Sequence, residues 1–123
     1  RLKRMLLDSL VLCVMIPFSY KQVTAVTAAV TGWDTTELEL LRVAERSMNM
    51  LQLFNVRRGF SARDDVIPDR FFEPVRSGPL ASKPPFIKEE FEKAKRAYYR
   101  LMGWDGEGIP SAEKLAELEI AAL

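Results

Sequence analysis

Residues 31–54 read TGWDTTELELLRVAERSMNMLQLF, and the fold class turns on this stretch. Gly32 stops whatever precedes it. Asp34 or Thr36 is then followed three residues later by Glu37 or Glu39, the spacing at which a helix N-cap and a carboxylate exchange hydrogen bonds with each other's backbone. Beyond that start, Leu41, Ala44, Met48 and Leu51 recur at steps of three and four, while Glu39, Arg42, Glu45 and Arg46 fall on other faces. This pattern predicts an amphipathic helix from about Thr36 to Phe54, inside a helical segment spanning 34–55. No alternating strand pattern and no internal repeat occurs elsewhere. The expected class is all-α: a single small, irregular helical domain over 1–123.

The flanks are read outward from that helix. Residues 1–31 form an apolar segment in which 5–30 show no clear polar face, as expected of an element covered on all sides, yet a chain of 123 residues has little left to cover it. Missing partner surface is therefore expected, either from the rest of a longer protein or from a second copy in a two-fold homo-oligomer. Arg1, Lys3 and Arg4 before the apolar run Leu10–Phe18 suggest a targeting segment, but Asp8 and Pro17 interrupt the pattern and about ten apolar residues are too few to span a bilayer. No membrane association is expected. A start at Arg1 instead of Met suggests a piece of something longer.

Residues 55–86 hold Gly59, Gly78 and five prolines, which remove backbone donors and forbid a long helix. This long Pro-rich connecting loop should be pinned by Phe60, Ile67, Phe71 and Phe72. Residues 87–123 return to helix. Ile87, Phe91, Ala94, Tyr98 and Leu101 form a stripe, with Glu89–Lys93 and Glu92–Arg96 in the favourable order for ion pairs. Gly103 closes that helix, Trp104-Asp105-Gly106 suggests a tight turn whose ring docks back, and Ser111 should cap a last helix through Leu115 and Leu118.

Composition excludes several functions. Lys and Arg number 18 against 17 Asp and Glu, so no net field draws the chain to nucleic acid. With no histidine, the commonest general base and nitrogen ligand are missing. The lone Cys13 cannot form an internal disulfide, which suits a reducing cytoplasm, and by itself it reads as a small buried hydrophobe. Asp64, Asp65 and Asp69 could suggest a metal or acid–base site, but they alternate with Arg57, Arg58, Arg63 and Arg70, so an ion-paired, solvated loop is expected. No catalytic residue is assigned.

Two stretches carry a family resemblance: FNVRRGFSARDDVIPDRFFEP at 54–74 and YYRLMGWDGEGIPSAEKLAEL at 98–118. In this order and at about this spacing they resemble the C-terminal part of the tungsten-pterin aldehyde:ferredoxin oxidoreductase family, and the capped helix before them fits the same comparison. The segment Asp8-Ser9-Leu10-Val11-Leu12-Cys13 is similar to the family's D-x-x-G-L-C pattern. The resemblance implies oxidation of an aldehyde to a carboxylic acid at a tungsten–bispterin centre, with electrons leaving through a 4Fe–4S cluster to ferredoxin. It implies that Asp8 and Leu12 are cofactor-binding residues, with Asp8 hydrogen-bonding a pterin, and that Cys13 is a cluster ligand. Val11 and Glu119 depart from family glycines; the first puts close approach of the backbone to the pterin in doubt, and little consequence is expected of the second. A cluster of this kind needs four thiolates, so upstream domains or a separate subunit must supply the rest. The chain alone is expected to be inactive and to bind neither group. From the residues alone, a non-catalytic helical interaction module is the alternative.

Overall fold

The structure, a computed structural model, describes residues 1–120. It is all-α, as expected: α1 (Leu2–Ser9), α2 (Tyr20–Thr31), α3 (Glu37–Arg57), a 3-10 turn (Asp69–Phe72), α4 (Lys88–Met102) and α5 (Ala112–Glu117). Among the described residues no helix is long and apolar enough to cross a membrane. The chain gathers into two compact units, one made of Arg1–Phe54 with Leu115 onward and the other of Asn55–Lys114.

The first unit is built on Leu6, Leu7, Val23, Leu40 and Ala44, against which Met5, Leu10, Leu12 and Phe18 pack. Reciprocal caps fix where its helices begin. Ser19 N–H donates to Gln22 Oε1 at 2.8 Å and Gln22 N–H to Ser19 Oγ at 3.2 Å, a start that the apolar composition of 1–31 concealed. For α3 the pair is Thr36 and Glu39, with Thr36 N–H to Glu39 Oε2 at 2.7 Å and Glu39 N–H to Thr36 Oγ1 at 3.2 Å. The buried face of α3 is rotated from the expected stripe: Leu40, Ala44 and Asn49 are buried, whereas Leu51 is exposed. In the C-terminal stretch, Arg46 Nε–H donates to the Leu118 carbonyl at 2.8 Å and Arg42 pairs with Glu117.

In the second unit the core of α4 is Tyr99 and Met102, joined by Trp104. Leu101, expected to lie in the stripe, is 81% exposed, and Ile87 and Ala94 are exposed too. The stripe sits one residue further along because Tyr99 has two partners that Leu101 lacks. Its hydroxyl donates to Asp65 Oδ2 at 2.5 Å and its ring packs 5.7 Å from that of Trp104. The expected docking turn is present: Trp104 is buried, edge-on to Tyr98 at 5.6 Å, and the Asp105 carboxylate accepts the N–H groups of Glu107 and Ile109, each at 2.9 Å.

The long loop is pinned in two ways. Phe71 stacks on Phe86 at 6.1 Å and Phe72 meets Phe91 edge-on at 6.2 Å, as expected, while Phe60 stays exposed. The unforeseen pin is Lys95, whose mostly buried ammonium donates to the carbonyls of Ala62 at 3.1 Å and Asp65 at 3.2 Å and meets Glu92 at 3.1 Å. Glu92 thus goes to Lys95, not to Arg96 as expected, and no Glu89–Lys93 pair forms among the described residues.

Each of the helices α2 to α5 closes with a residue in the left-handed region. Gly32 (φ +73°), Gly59 (+88°), Gly103 (+71°) and Glu119 (+53°) follow α2, α3, α4 and α5. After α3, α4 and α5 the next amide reaches back five residues, Phe60 to Asn55 at 3.1 Å, Trp104 to Tyr99 at 2.8 Å and Ile120 to Leu115 at 2.9 Å. These bonds satisfy carbonyls that a helix end otherwise leaves open. The Glu119 departure therefore carries a backbone cost, because its side chain disfavours that φ.

Two outcomes are expected. Replacing Lys95 with Met should lower unfolding stability by about 2 kcal/mol, since it leaves two loop carbonyls and Glu92 without their donor, against about 0.5 kcal/mol or less for Lys21→Met on the surface. Urea midpoints measure both. The Glu39 carboxyl is held below its ordinary value of 4.5 by the Thr36 N–H and hydroxyl that donate to it. A depressed folded pKa means that its charged form stabilises α3 fully above pH 4.5, with that contribution lost as pH falls through the lower folded value. Melting temperatures of wild type and Glu39→Gln should differ at neutral pH and converge in acid.

Candidate functional site

The segment that carries the D-x-x-x-L-C pattern begins on the last turn of α1. Leu6 and Leu7 anchor that turn in the core and leave Asp8 on the outer face, where its carboxylate lies 3.7 Å from Arg4 Nε, both side chains being largely exposed. After Ser9 the helix closes with two bonds, Val11 N–H to the Asp8 carbonyl at 3.2 Å and Leu12 N–H to the Leu7 carbonyl at 2.8 Å. This is the same closure seen after α3, α4 and α5, and it places Val11 at φ +57°. Leu12 packs back on the core that holds Leu7, the apolar contact that accompanies such a closure.

A β-branched residue in the left-handed region is a genuine outlier, costing on the order of 1–2 kcal/mol. It persists because the closure and the Leu12 contact determine it from both sides. The Val11 side chain itself contributes little packing, being 92% exposed.

Cys13 follows immediately and is exposed, so it is not the small buried hydrophobe that a lone cysteine suggests. Its carbonyl accepts Ile16 N–H at 3.2 Å, which curls residues 13–16 into a turn bearing the exposed side chains of Val14, Met15 and Ile16. The structure thus brings Asp8, Leu12 and Cys13 onto one capped turn, with the carboxylate and the thiol open to solvent and Leu12 facing inward.

The acidic group of the loop resolves differently from expectation. Asp64 accepts the Ser61 N–H at 2.8 Å and Asp65 accepts the Tyr99 hydroxyl, so hydrogen bonds and not arginine ion pairs hold them. Burial, and next the bond to Asp65, push the Tyr99 phenol well above its ordinary value, which keeps it a neutral donor. Sequence reasoning missed this pair, because nothing in a linear pattern joins residues 34 apart. Among the described residues no three acidic or cysteine side chains cluster to hold a metal ion.

Residues 1–120 match the family model described as aldehyde ferredoxin oxidoreductase, domains 2 and 3. The chain belongs to the aldehyde ferredoxin oxidoreductase family. It is 38% identical over 120 residues to the tungsten-containing aldehyde ferredoxin oxidoreductase of Pyrococcus furiosus, covering 94% of this chain and 19% of that protein. The enzyme of the same name from Thermococcus kodakarensis is 37% identical over 95 residues, covering 76% of this chain and 15% of that protein. Among solved structures, the active-site complex BamBC of benzoyl coenzyme A reductase, in complex with 1,5-dienoyl-CoA, superposes with a TM-score of 0.74 at 25% identity, over 94% of this chain and 17% of that one. This aldehyde ferredoxin oxidoreductase segment therefore spans no more than about a fifth of the length of these relatives.

The strain at Val11 generates a direct outcome. Val11→Gly should raise stability by about 1 kcal/mol, because relief of the left-handed strain outweighs the entropy that glycine adds to the unfolded chain. Gly103→Val should do the opposite and lose more, since a Cβ there meets Lys114 Cε at 2.6 Å and Cβ at 2.9 Å. Denaturant midpoints of the two variants should move in opposite directions.

Proposed function

We propose that this chain is the part of a tungsten enzyme that closes over its redox centre, the intact protein oxidising aldehydes to carboxylic acids and passing electrons through a 4Fe–4S cluster to ferredoxin. The observation that carries this reading is the joint exposure of Asp8 and Cys13 on one turn of a chain belonging to this family. The donor set fits one corner of each group. Cys13 would hold one iron of the cluster as thiolate. The Asp8 carboxylate, an acceptor only when ionised, suits the amino and ring N–H donors of a pterin, and Leu12 would set the position of the backbone beside it. When bound, the tungsten–bispterin group supplies the oxidation chemistry and the cluster the electron path.

A single cysteine leaves three ligands to be supplied by upstream domains of the same enzyme or by a separate subunit. The isolated chain is therefore expected to be inactive, and the exposed lone thiol suits a reducing cytoplasm. The apolar turn beside Cys13, with Val11 92% and Met15 85% exposed, supports the same division, since such a surface is ordinarily covered by a partner. In the chain alone, self-association as a two-fold homo-oligomer would serve that need.

In the complete enzyme, Cys13→Ser should lower iron content and abolish ferredoxin reduction while tungsten is retained. Metal analysis and cluster absorption are the readouts. Unchanged iron and unchanged electron transfer would overturn the assignment of Cys13.

A further inference from the structure

The second unit holds a cleft of about 550 Å³ that the redox reading does not use. Lys93, Arg96 and Arg100 line it from α4, at positions i, i+3 and i+7 of one helix face, so they span about 10 Å along the axis. Among the described residues none of the three has a carboxylate partner, and Glu92, one turn before Arg96, is taken by Lys95. Tyr99 and Trp104 form an aromatic wall, and Asp105 stands at the lip. Its carboxylate is turned onto the Glu107 and Ile109 N–H groups of its own turn and offsets one of the three positive charges, which leaves the lining with a net charge of +2. The negative end of α4 is also answered, since Gly103 and Trp104 donate to the carbonyls of Arg100 and Tyr99 at 3.2 and 2.8 Å.

We propose that this cleft binds a chain of linked phosphates, as found in inorganic polyphosphate or in a nucleoside triphosphate. Three cations in a row against a single carboxylate, in a volume of the small-ligand range, match an extended polyanion. A single carboxylate or phosphate reaches only one or two of them.

The test uses this chain with Trp33→Phe as background, so that Trp104 alone reports by fluorescence; Trp33 lies outside the cleft and is exposed. Tripolyphosphate, ATP, inorganic phosphate and poly-glutamate are titrated at fixed ionic strength. Saturable signals are expected for tripolyphosphate and ATP, with inorganic phosphate at least about tenfold weaker. Arg96→Gln with Arg100→Gln should weaken binding about tenfold or more, and Lys21→Gln with Arg76→Gln, away from the cleft, should leave it unchanged. Tighter binding of ATP than of tripolyphosphate assigns the nucleotide source, and equal binding assigns the phosphate chain alone. The proposal is overturned by absence of saturation with both, by equal weakening in the two double variants, or by poly-glutamate binding as tightly as tripolyphosphate.

Discussion

The hydrogen bond from Leu12 N–H to the Leu7 carbonyl is the constraint on which the candidate site depends. It requires the intervening backbone to turn through the left-handed region, and it does so at a residue poorly suited to it. In exchange, Leu12 returns to the core beside Leu7, and burial of an apolar side chain of that size contributes a few kcal/mol at most, roughly 1.5–3 when complete. Leu12 is partly buried, so that gain is of the same order as the strain at Val11 and offsets it. The turn therefore holds although its local preference opposes it, and Asp8 and Cys13 are fixed on the outside as a consequence.

The same closure explains which parts of the fold were legible. Gly32 and Gly103 announced the ends of α2 and α4 because glycine is the residue that adopts the left-handed region freely. Val11 and Glu119 perform the identical task with the wrong residue type, so the propensity argument passes over the break after α1 and residues 1–31 read as one apolar element. The break is real, and it opens the segment. Val23 and Thr27 of α2 are buried while Val26 and Val30 are not, so cover on all sides does not describe it. Capping chemistry was legible where charge flagged it, at Thr36 and Glu39, and missed at Ser19 and Gln22, where the same bonds are made without a carboxylate.

Stripe positions show a second limit. Period alone says that a helix has an apolar side, but α3 and α4 carry apolar residues on more than one side, and the partner elements choose among them. On α4 the choice falls to Tyr99, because a loop acid sits where its hydroxyl can reach and a tryptophan ring sits beside its own. On α3 it falls to Leu40 and Ala44. Ion pairs drift for the same reason: Glu92 prefers Lys95, which is already held in place by two loop carbonyls, over a freer Arg96 that would surrender more side-chain entropy. At the candidate site, residue types were legible and exposure was not, since burial of a cysteine depends on what surrounds it.

Exposure is what a shared centre demands of each contributor. A four-thiolate cluster built from one chain can bury its ligands inside that chain, but a contributor with one cysteine must turn the thiol outward, toward ligands held elsewhere. The surface around such a thiol then has to be apolar enough to exclude water once the other contributors close over it, because the dielectric around a cluster helps to set its potential. On the proposed reading, Val14, Met15 and Ile16 would provide that surface; they are exposed in this chain. An apolar turn of this kind weakens an isolated fragment and completes an assembly, so one local feature accounts both for the incomplete cover of the first unit and for the reading of Cys13 as one corner of a larger site.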